Sequence, residues 1–263
     1  MRTPAALPNR IAGEESMTEA DRNTMFLREK MLLGDEAMEK LRKARVAVFG
    51  LGGVGSWCAE TLARAGIGDL TLIDCDSFSL SNINRQSGAA ASTVGKMKAD
   101  VMAERIRDIN PFVSVKAVNA LYSAASRDDF FPGTAEEHYM FVADCIDLVS
   151  AKLDLIMTCR ERGIPMISAL GTGNKQDAQR LVISDISKTE GDALARVMRR
   201  ELRARGVYHH PVVFSPEEPL AAEQAEAPPP GRRSVPGSLV WVPATAGILM
   251  TQYIVTELVK QNI

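Results

Sequence analysis

The chain has little of several features that would single out a class of protein. It has four cysteines in 263 residues, and no two of them form a CxxC pair, which excludes zinc-ribbon spacing. Aromatic residues make up 5% of the chain and the formal net charge is −2, so the composition offers neither a base-stacking platform nor a global basic field. The first residues are polar and small and lack the apolar core of a secretory signal. With 46% hydrophobic and 24% charged residues, the composition argues against a wholly disordered, fibrous or polytopic membrane protein.

The few cysteines and histidines indicate structural rather than chemical roles. Each cysteine lies in an apolar or strand-like segment, which predicts reduced, buried thiols and a cytoplasmic protein. Among the three histidines, the neighbours His209 and His210 precede a proline and are predicted to be surface residues. We therefore expect no structural zinc. The cysteines are Cys58, Cys75, Cys145 and Cys159.

A long apolar stretch without charge extends from Leu239 to Thr256. Its length is close to that of a membrane span, but Pro243 and Gln252 weaken its hydropathy. The run therefore favours a buried helix that packs on a sheet. Peripheral or single-pass membrane association through this C-terminal helix is the less favoured alternative.

Short apolar runs alternate with amphipathic segments along most of the chain, and one such segment predicts a helix from Thr93 to Asn110. This alternation predicts an α/β fold with a Rossmann-like, doubly wound and mostly parallel sheet. We expect a flexible N-terminal tail over 1–24 and a single domain over 25–263. Within that domain, the segment 215–237 is rich in Pro and Glu and poor in large apolar residues, which predicts an exposed, mobile loop.

A glycine-rich turn follows the first predicted strand, in the sequence VAVFGLGGVG. Glycine lets the backbone turn tightly and approach a phosphate, and the helix that follows offers free N–H groups to the anion. Asp74 ends the second predicted strand, where a carboxylate accepts hydrogen bonds from ribose hydroxyls. These features predict a nucleotide site, and on their own they favour a nicotinamide-dependent dehydrogenase. The glycines of the turn are Gly50, Gly52, Gly53 and Gly55.

Polar residues beyond Asp74 change that interpretation. Asn82, Arg85 and Lys98 gather just past the ribose acid, and a hydride-transfer enzyme has no need of them. An enzyme that splits ATP between its α- and β-phosphates needs such groups, because Arg and Lys offset the charge of the departing pyrophosphate. Asp147 follows another predicted strand, where a carboxylate is placed to hold Mg²⁺ against a triphosphate.

The motifs GxGGxG, DxD, SNxxRQ, VGxxK and DCxD occur in this order from Phe49 to Asp147. In this combination the chain resembles the adenylating domain of the ubiquitin-activating-enzyme-like superfamily, which includes ThiF, MoeB and HesA. The resemblance implies an ATP site with Mg²⁺ held through Asp147, in a homodimer that lends Arg28 across its interface. An ordinary helix-surface arginine is the alternative for Arg28. The catalytic residues it implies are Arg28, Arg85, Lys98 and Asp147, and the nucleotide-binding residues are Gly50, Gly52, Gly53, Gly55, Asp74, Asp76, Asn82, Arg85, Gln86, Lys98 and Asp147.

The second half of the chain distinguishes between members of that superfamily. Activators of sulfur-carrier proteins usually carry two CxxC zinc pairs in their C-terminal half, and no cysteine follows Cys159 here. The segments SALGTGNK, SDISKT and GSLVWVP instead resemble the tRNA threonylcarbamoyladenosine dehydratase family. That resemblance implies ATP-dependent cyclisation of threonylcarbamoyladenosine beside the tRNA anticodon, with net loss of water. Adenylation of a ubiquitin-like sulfur carrier and a nucleotide-binding sulfur-relay acceptor without turnover are the alternatives, and a cysteine-desulfurase partner is left open.

A local excess of positive charge between Lys188 and Arg205 offers a contact for tRNA. Apolar residues at helical spacing from Leu194 to Leu202 predict a buried stripe that leaves the arginines outward. Such a face suits phosphate binding, although a solvated helix face has the same pattern. The candidate tRNA contacts are Lys175, Arg196, Arg199, Arg200 and Arg203.

Overall fold

A computed structural model describes residues 17–131, 138–221, 223 and 235–260. The described residues form a seven-stranded sheet with helices on both faces. The strands are β1 (Arg45–Phe49), β2 (Asp69–Ile73), β3 (Ser114–Val118), β4 (Phe141–Asp144), β5 (Met166–Ala169), β6 (Val182–Asp185) and β7 (Pro211–Phe214). The α-helices are α1 (Glu19–Met25), α2 (Leu27–Lys43), α3 (Gly55–Arg64), α4 (Lys98–Ile109), α5 (Val149–Glu161), α6 (Ala193–Ala204) and α7 (Trp241–Lys260).

The order of the strands places a crevice beside β1. Across the sheet the order is β3-β2-β1-β4-β5-β7-β6, and every neighbouring pair is parallel except β6 with β7. Because β1 lies between β2 and β4, the connections on its two sides run in opposite directions, and a crevice opens at the carboxyl ends of β1 and β4. The predicted α/β fold, doubly wound and mostly parallel, is confirmed.

Two apolar cores lie on the two faces of the sheet. One packs against α3, α4 and α7, and the other packs against α5, α6 and an aromatic cluster. Val46 and Val48 face the first core, whereas Phe49 faces the second and contacts Tyr122, with ring centroids 5.2 Å apart. Burial on both faces explains why the strands are nearly continuous apolar runs, and it gives the crevice a rigid floor.

Helix α7 is long and apolar enough to cross a membrane, and it is the one helix of the described part of the chain that meets this test. Here its residues Ala246, Met250 and Ile254 are fully buried at helical spacing against the sheet and α3. At Gly247 the backbones approach so closely that a Cβ would lie 2.5 Å from the carbonyl oxygen of Val54. The expected packing of this helix on the sheet is confirmed, with 44% of its apolar window buried.

Helix α4 is shorter than predicted. It begins at Lys98 rather than at Thr93. Between these residues, Gly95 adopts a φ of +86° and its N–H donates to the carbonyl of Phe78, which closes a turn where the helix was expected to begin. The late start places Lys98 on the first turn of α4, where its N–H donates to the carbonyl of Asp76.

The prediction of a flexible tail over 1–24 is wrong at its end. Glu19–Met25 form α1, which begins with a capping box: Thr18 Oγ1 accepts the N–H of Asp21, and the Asp21 carboxylate accepts the N–H of Thr18. Residues 1–16 lie outside the described residues.

The loop predicted over 215–237 is anchored at its first residues. Ser215 and Glu217 are buried, and the Glu217 carboxylate accepts main-chain N–H groups from the segment after β5. The prediction of an exposed loop is therefore wrong at this end. Residues 222 and 224–234 lie outside the described residues.

Candidate active site

The glycine-rich turn lies at the crevice. Gly50 has a φ of +87°, and a Cβ there would lie 2.8 Å from the carbonyl oxygen of Cys145, so only glycine fits without a shift. At Gly55 a Cβ would collide with the carbonyl oxygen of Gly50. At Gly52 the space is open: a Cβ there would lie 4.0 Å from Gln86 Nε2, the nearest atom outside the adjoining residues. The turn is thus packed tightly beneath and open above Gly52, as a phosphate cradle requires.

Asp74 ties the glycine turn to the end of β2. One carboxylate oxygen accepts the N–H of Leu51 at 2.6 Å, and the other accepts the N–H of Asp76 at 2.8 Å. A carboxylate held by two main-chain donors has a fixed orientation and keeps lone pairs for further donors. Asp74 is therefore placed to bind ribose hydroxyls beside the phosphate cradle.

The segment from Asn82 to Gln86 covers another side of the turn. Asn82 is buried and its Oδ1 accepts the N–H of Ser79, which closes a short 3-10 helix. Arg85 extends over the turn, with its Cδ 3.6 Å from where a Cβ on Gly53 would lie. Gln86 is 6% exposed, and its Oε1 has no hydrogen-bond partner among the described residues. Because an unpaired buried acceptor is costly, Gln86 fits a site that a bound molecule completes.

Lys98 reaches the same crevice from α4. Its side chain is 8% exposed, and its Nζ lies 3.0 Å from a carboxylate oxygen of Asp76. Asp76 itself is exposed, so this pair lies at the boundary between protein and solvent. Lys98 is therefore a cation held at the crevice with donors to offer to a phosphate.

β4 ends in the DCID turn (Asp144–Asp147), which carries Asp147 to the rim of the crevice. The N–H of Cys145 donates to the carbonyl of Phe49 at 2.8 Å, and this bond holds the DCID turn against the glycine turn. Asp147 is exposed. Mg²⁺ in nucleotide sites is commonly held by one or two carboxylates together with substrate phosphates, so this donor set fits that ion.

One crevice thus combines a glycine turn with an open side, a carboxylate held by two main-chain donors, two cations and an exposed carboxylate. Cations around a triphosphate offset the charge on departing pyrophosphate, so the site suits nucleophilic attack on the α-phosphate. A family model described as the ThiF family matches residues 26–260. The chain belongs to the ThiF family.

The similarity to dehydratases extends over most of the chain. It is 38% identical over 244 residues to a tRNA threonylcarbamoyladenosine dehydratase of Bacillus subtilis, a match that covers 89% of this chain and 94% of the relative. A crystal structure of Escherichia coli tRNA N6-threonylcarbamoyladenosine dehydratase in complex with ATP matches with a TM-score of 0.81 and 33% identity, over 93% of this chain and 97% of that one. A molybdopterin-synthase adenylyltransferase of Salmonella typhimurium is 38% identical over 133 residues, which are 51% of this chain and 51% of the relative.

Of the residues that the ThiF-like resemblance implies, Arg28 stands apart. It lies on the first turn of α2 and is exposed, and among the described residues no hydrogen bond or ion pair joins it to the crevice. Nearby on α2, Met31 and Leu32 are 78% and 88% exposed. This ThiF-family chain on its own therefore exposes an apolar surface beside this arginine.

Helix α6 carries the arginines predicted to contact tRNA. A stripe that includes Met198 and Leu202 is fully buried, which confirms an amphipathic helix. Arg199 is half-buried, and its Nη1 donates to the carbonyl and hydroxyl oxygens of Thr189, so part of its charge is already used. The exposed arginines of the predicted set are Arg196, Arg200 and Arg203.

Lys175 does not belong to this surface, and its predicted tRNA contact is wrong. Its side chain is 0% exposed, and its Nζ lies 3.3 Å from a carboxylate oxygen of Asp192. The same Nζ donates to the carbonyls of Ser215 and Glu217 at 2.8 and 2.6 Å. Since all these partners lie inside the fold, the ammonium of Lys175 is a structural link rather than a contact for phosphate.

His210 is buried, so its predicted surface position is wrong. It is 3% exposed, and its Nε2 lies 2.8 Å from Ser168 Oγ. Burial, with the nearby charges of Lys152 and Arg160, lowers the pKa of His210 to about 3. The ring is therefore neutral at physiological pH.

The cysteines are only partly as expected. Cys58 and Cys159 are buried as predicted, whereas Cys75 is exposed and Cys145 is half-buried because both follow strand ends at the crevice. Partial burial and the neighbouring carboxylates raise the pKa of Cys75. A hydrogen bond with Cys58, together with burial, raises the pKa of Cys145. Burial raises the pKa of Cys159. Raised pKa values disfavour the thiolate form of these three cysteines.

A residue that no motif indicated, Lys152, lies directly behind the DCID turn. Its side chain is fully buried on α5, and its Nζ lies 2.8 Å from a carboxylate oxygen of Asp144. The signal in the sequence is a lysine inside the apolar run AKLDLIM, eight residues after that aspartate. Periodicity alone gave no reason to bury this lysine.

Proposed function

We propose that the chain is an ATP-dependent tRNA threonylcarbamoyladenosine dehydratase of the cytoplasm. The observation that carries this proposal is the match to a dehydratase along 89% of the chain, which includes the second half where sulfur-carrier activators are expected to differ. The crevice supplies the adenylation site that such a reaction needs.

In the proposed reaction, a carboxylate oxygen of the threonylcarbamoyl group attacks the α-phosphorus of ATP, and the bond to pyrophosphate breaks. The product is an acyl adenylate. A nucleophile of the same modification then attacks the acyl carbon, loses its proton and expels AMP, so a ring closes and the nucleoside has lost one water. Because the nucleophile is intramolecular, its effective molarity is high and no enzyme nucleophile is required.

We assign the nucleotide to the crevice. Asp74 accepts the ribose hydroxyls, while Arg85 and Lys98 bind the β- and γ-phosphates and offset the charge that develops on pyrophosphate. The phosphates lie over the open side of the glycine turn, at Gly52 and Gly53. Further nucleotide contacts in this proposal are Gly50, Gly55, Asp76, Asn82, Gln86 and Asp147.

Mg²⁺ belongs to the proposal through Asp147. When bound, the ion supplies neutralisation of the triphosphate charge. Asp147 would hold the ion at the rim of the crevice, and the DCID turn sets where that carboxylate lies.

We further propose a homodimer in which Arg28 completes the partner's ATP site. Exposed apolar side chains next to Arg28, Met31 and Leu32 above all, support this proposal, because a partner subunit would cover them. The exposed arginines of α6 are proposed to bind tRNA phosphates.

The experiment that tests the function is AMP formation from ATP with three candidate substrates. They are tRNA that carries threonylcarbamoyladenosine, the same tRNA without the modification, and a small protein ending in Gly-Gly. We expect AMP with the modified tRNA only. AMP or pyrophosphate exchange with the Gly-Gly protein would instead support sulfur-carrier adenylation, and ATP binding without turnover on any substrate would support a non-catalytic role.

A further inference from the structure

The proposed reaction leaves one buried ion pair without a role. Asp144 ends β4, and Lys152 comes from α5; both side chains are 0% exposed and their charged atoms are 2.8 Å apart. Taking two charges out of water is expensive, and well-packed apolar side chains of similar volume are often as stabilising as a buried pair. Stability alone therefore does not account for a pair at this position.

The contacts of Asp144 lead directly to the DCID turn. One carboxylate oxygen accepts a hydrogen bond from the Lys152 ammonium, and the other accepts the N–H of Ile146 at 3.1 Å. Ile146 is the residue before Asp147, so this bond sets the path of the main chain that delivers the Asp147 carboxylate to the crevice. A carboxylate bound to an ammonium on one side has its other oxygen aimed in one direction.

The other groups near Lys152 do not compete with Asp144 for its positive charge. His210 lies close enough for the Lys152 charge to lower the pKa of its ring. Because that pKa is about 3, the ring is neutral at higher pH. Asp185, which faces His210, accepts the N–H groups of His210 and Ser187. Asp144 is thus the one carboxylate that pairs with Lys152 in the part of the chain that the structure describes.

We propose that Lys152 is a positioning residue: through Asp144 and the N–H of Ile146, it fixes the DCID turn so that Asp147 meets the metal–nucleotide complex. This inference rests on the proposed function, and it predicts an effect on the magnesium-dependent part of ATP affinity rather than on nucleotide binding in general.

The test compares Lys152→Met with a matched control, Lys175→Met. Both lysines have fully buried side chains paired with one aspartate, so each substitution leaves one buried carboxylate without its cation. ATP affinity is measured by calorimetry with Mg²⁺ and with a chelator. In Lys152→Met we expect the increase in ATP affinity that Mg²⁺ causes to be about 10-fold smaller, as is usual when a residue behind a metal ligand is removed. The ATP affinity measured in the presence of the chelator is expected to be unchanged. In Lys175→Met both affinities stay at their wild-type values.

The inference would be overturned if Mg²⁺ raised ATP affinity equally in Lys152→Met and in wild type. It would also be overturned if Lys152→Met and Lys175→Met lost the same amount of this Mg²⁺ effect. Should Lys152→Met fail to fold, Asp144→Asn/Lys152→Met removes both buried charges, and we expect it to fold with the same reduced gain from Mg²⁺. A double variant that binds Mg²⁺–ATP like wild type would also overturn the inference. A wild-type protein whose ATP affinity is independent of Mg²⁺ would overturn both the metal role of Asp147 and this inference, whereas failure confined to the variants overturns the inference alone.

Discussion

Single residues at the crevice are positioned mainly by main-chain hydrogen bonds. Asp74 is oriented by two backbone N–H groups, and Asp144 by one. Such bonds follow from motif spacing at strand ends, and this is why the sequence predicted that Asp74, Arg85 and Lys98 would meet. Burial of an isolated charged or aromatic side chain depends on neighbours distant in sequence, so Lys175 and His210 could not be placed from the local pattern.

The two glycines Gly50 and Gly52 should respond differently to alanine. Gly50→Ala places a Cβ on a residue in the left-handed region, against the Cys145 carbonyl. We therefore expect the free energy of unfolding to fall by more than about 2 kcal/mol. Gly52→Ala places its methyl in open space, so stability is expected to stay near wild type while ATP affinity falls. Thermal unfolding and ATP calorimetry on both variants check this. A Gly52→Ala protein that binds ATP normally would contradict the cradle.

His210 predicts a specific pH dependence of stability. Its pKa is about 3 in the folded protein and close to 6.5 when unfolded, so the unfolded chain binds a proton first as pH falls. The contribution of neutral His210 is complete above pH 6.5 and declines below it, by at most about 1.4 kcal/mol per pH unit. Between pH 7 and pH 5, His210→Gln is expected to lose less unfolding free energy in urea than wild type. His209→Gln, an exposed neighbour, serves as control, and identical pH slopes in wild type and His210→Gln would refute the assignment.

At the scale of elements, helices whose apolar stripes repeat regularly were predicted well. α6 buries the stripe that its periodicity indicates, and α7, which was expected from an uncharged run, buries Ala246, Met250 and Ile254. The start of α4 was missed because the hydrogen bond between Gly95 and the Phe78 carbonyl joins two loops, and no helical periodicity reports such a contact. The capping box at Thr18 and Asp21 was visible in the sequence but lay in a stretch interpreted by composition alone.

The exposed face of α6 predicts a salt-dependent loss of tRNA binding on charge reversal. Arg196→Glu/Arg200→Glu changes two exposed arginines and leaves the buried stripe and Arg199 intact. We expect tRNA affinity to fall at least about 10-fold and its dependence on salt to weaken, because fewer phosphates are neutralised. Filter binding at several salt concentrations measures both effects.

The matched control for α6 changes the same charge at the opposite edge of the sheet. Arg107→Glu/Lys116→Glu lies on α4 and on the edge strand β3, and both positions are exposed. This control is expected to bind tRNA like wild type. Equal losses in the two double variants would mean that net charge, rather than the face of α6, governs binding.

At the scale of the whole molecule, the alternation of strands and helices was enough to predict the sheet, and the motif order was enough to predict one nucleotide crevice. Parallel strands bring their carboxyl ends to one edge, so residues far apart in sequence meet there. Among the described residues of the single chain, no hydrogen bond or ion pair joins Arg28 to that crevice, and its apolar neighbours are exposed. What the sequence did not provide is the set of buried polar links, Lys152 with Asp144 and Lys175 with Asp192, that hold loops to helices.

A subunit-mixing experiment tests the proposed dimer. Arg28→Ala and Lys98→Met homodimers are each expected to be inactive. When the two chains are co-expressed, half of the dimers are mixed and one of their two sites holds both wild-type residues, so activity should return to about a quarter of wild type. If Arg28 served its own chain, or an ordinary surface role, mixing would restore nothing beyond the activity of the separate variants.

Mass spectrometry of nucleosides from tRNA incubated with the protein, ATP and Mg²⁺ tests the proposed dehydration itself. We expect threonylcarbamoyladenosine to lose the mass of one water while AMP and pyrophosphate form, and we expect Lys98→Met and Arg85→Ala proteins to leave the nucleoside unchanged. An unchanged nucleoside mass with wild-type protein that binds ATP, on tRNA shown to carry the modification, would contradict it.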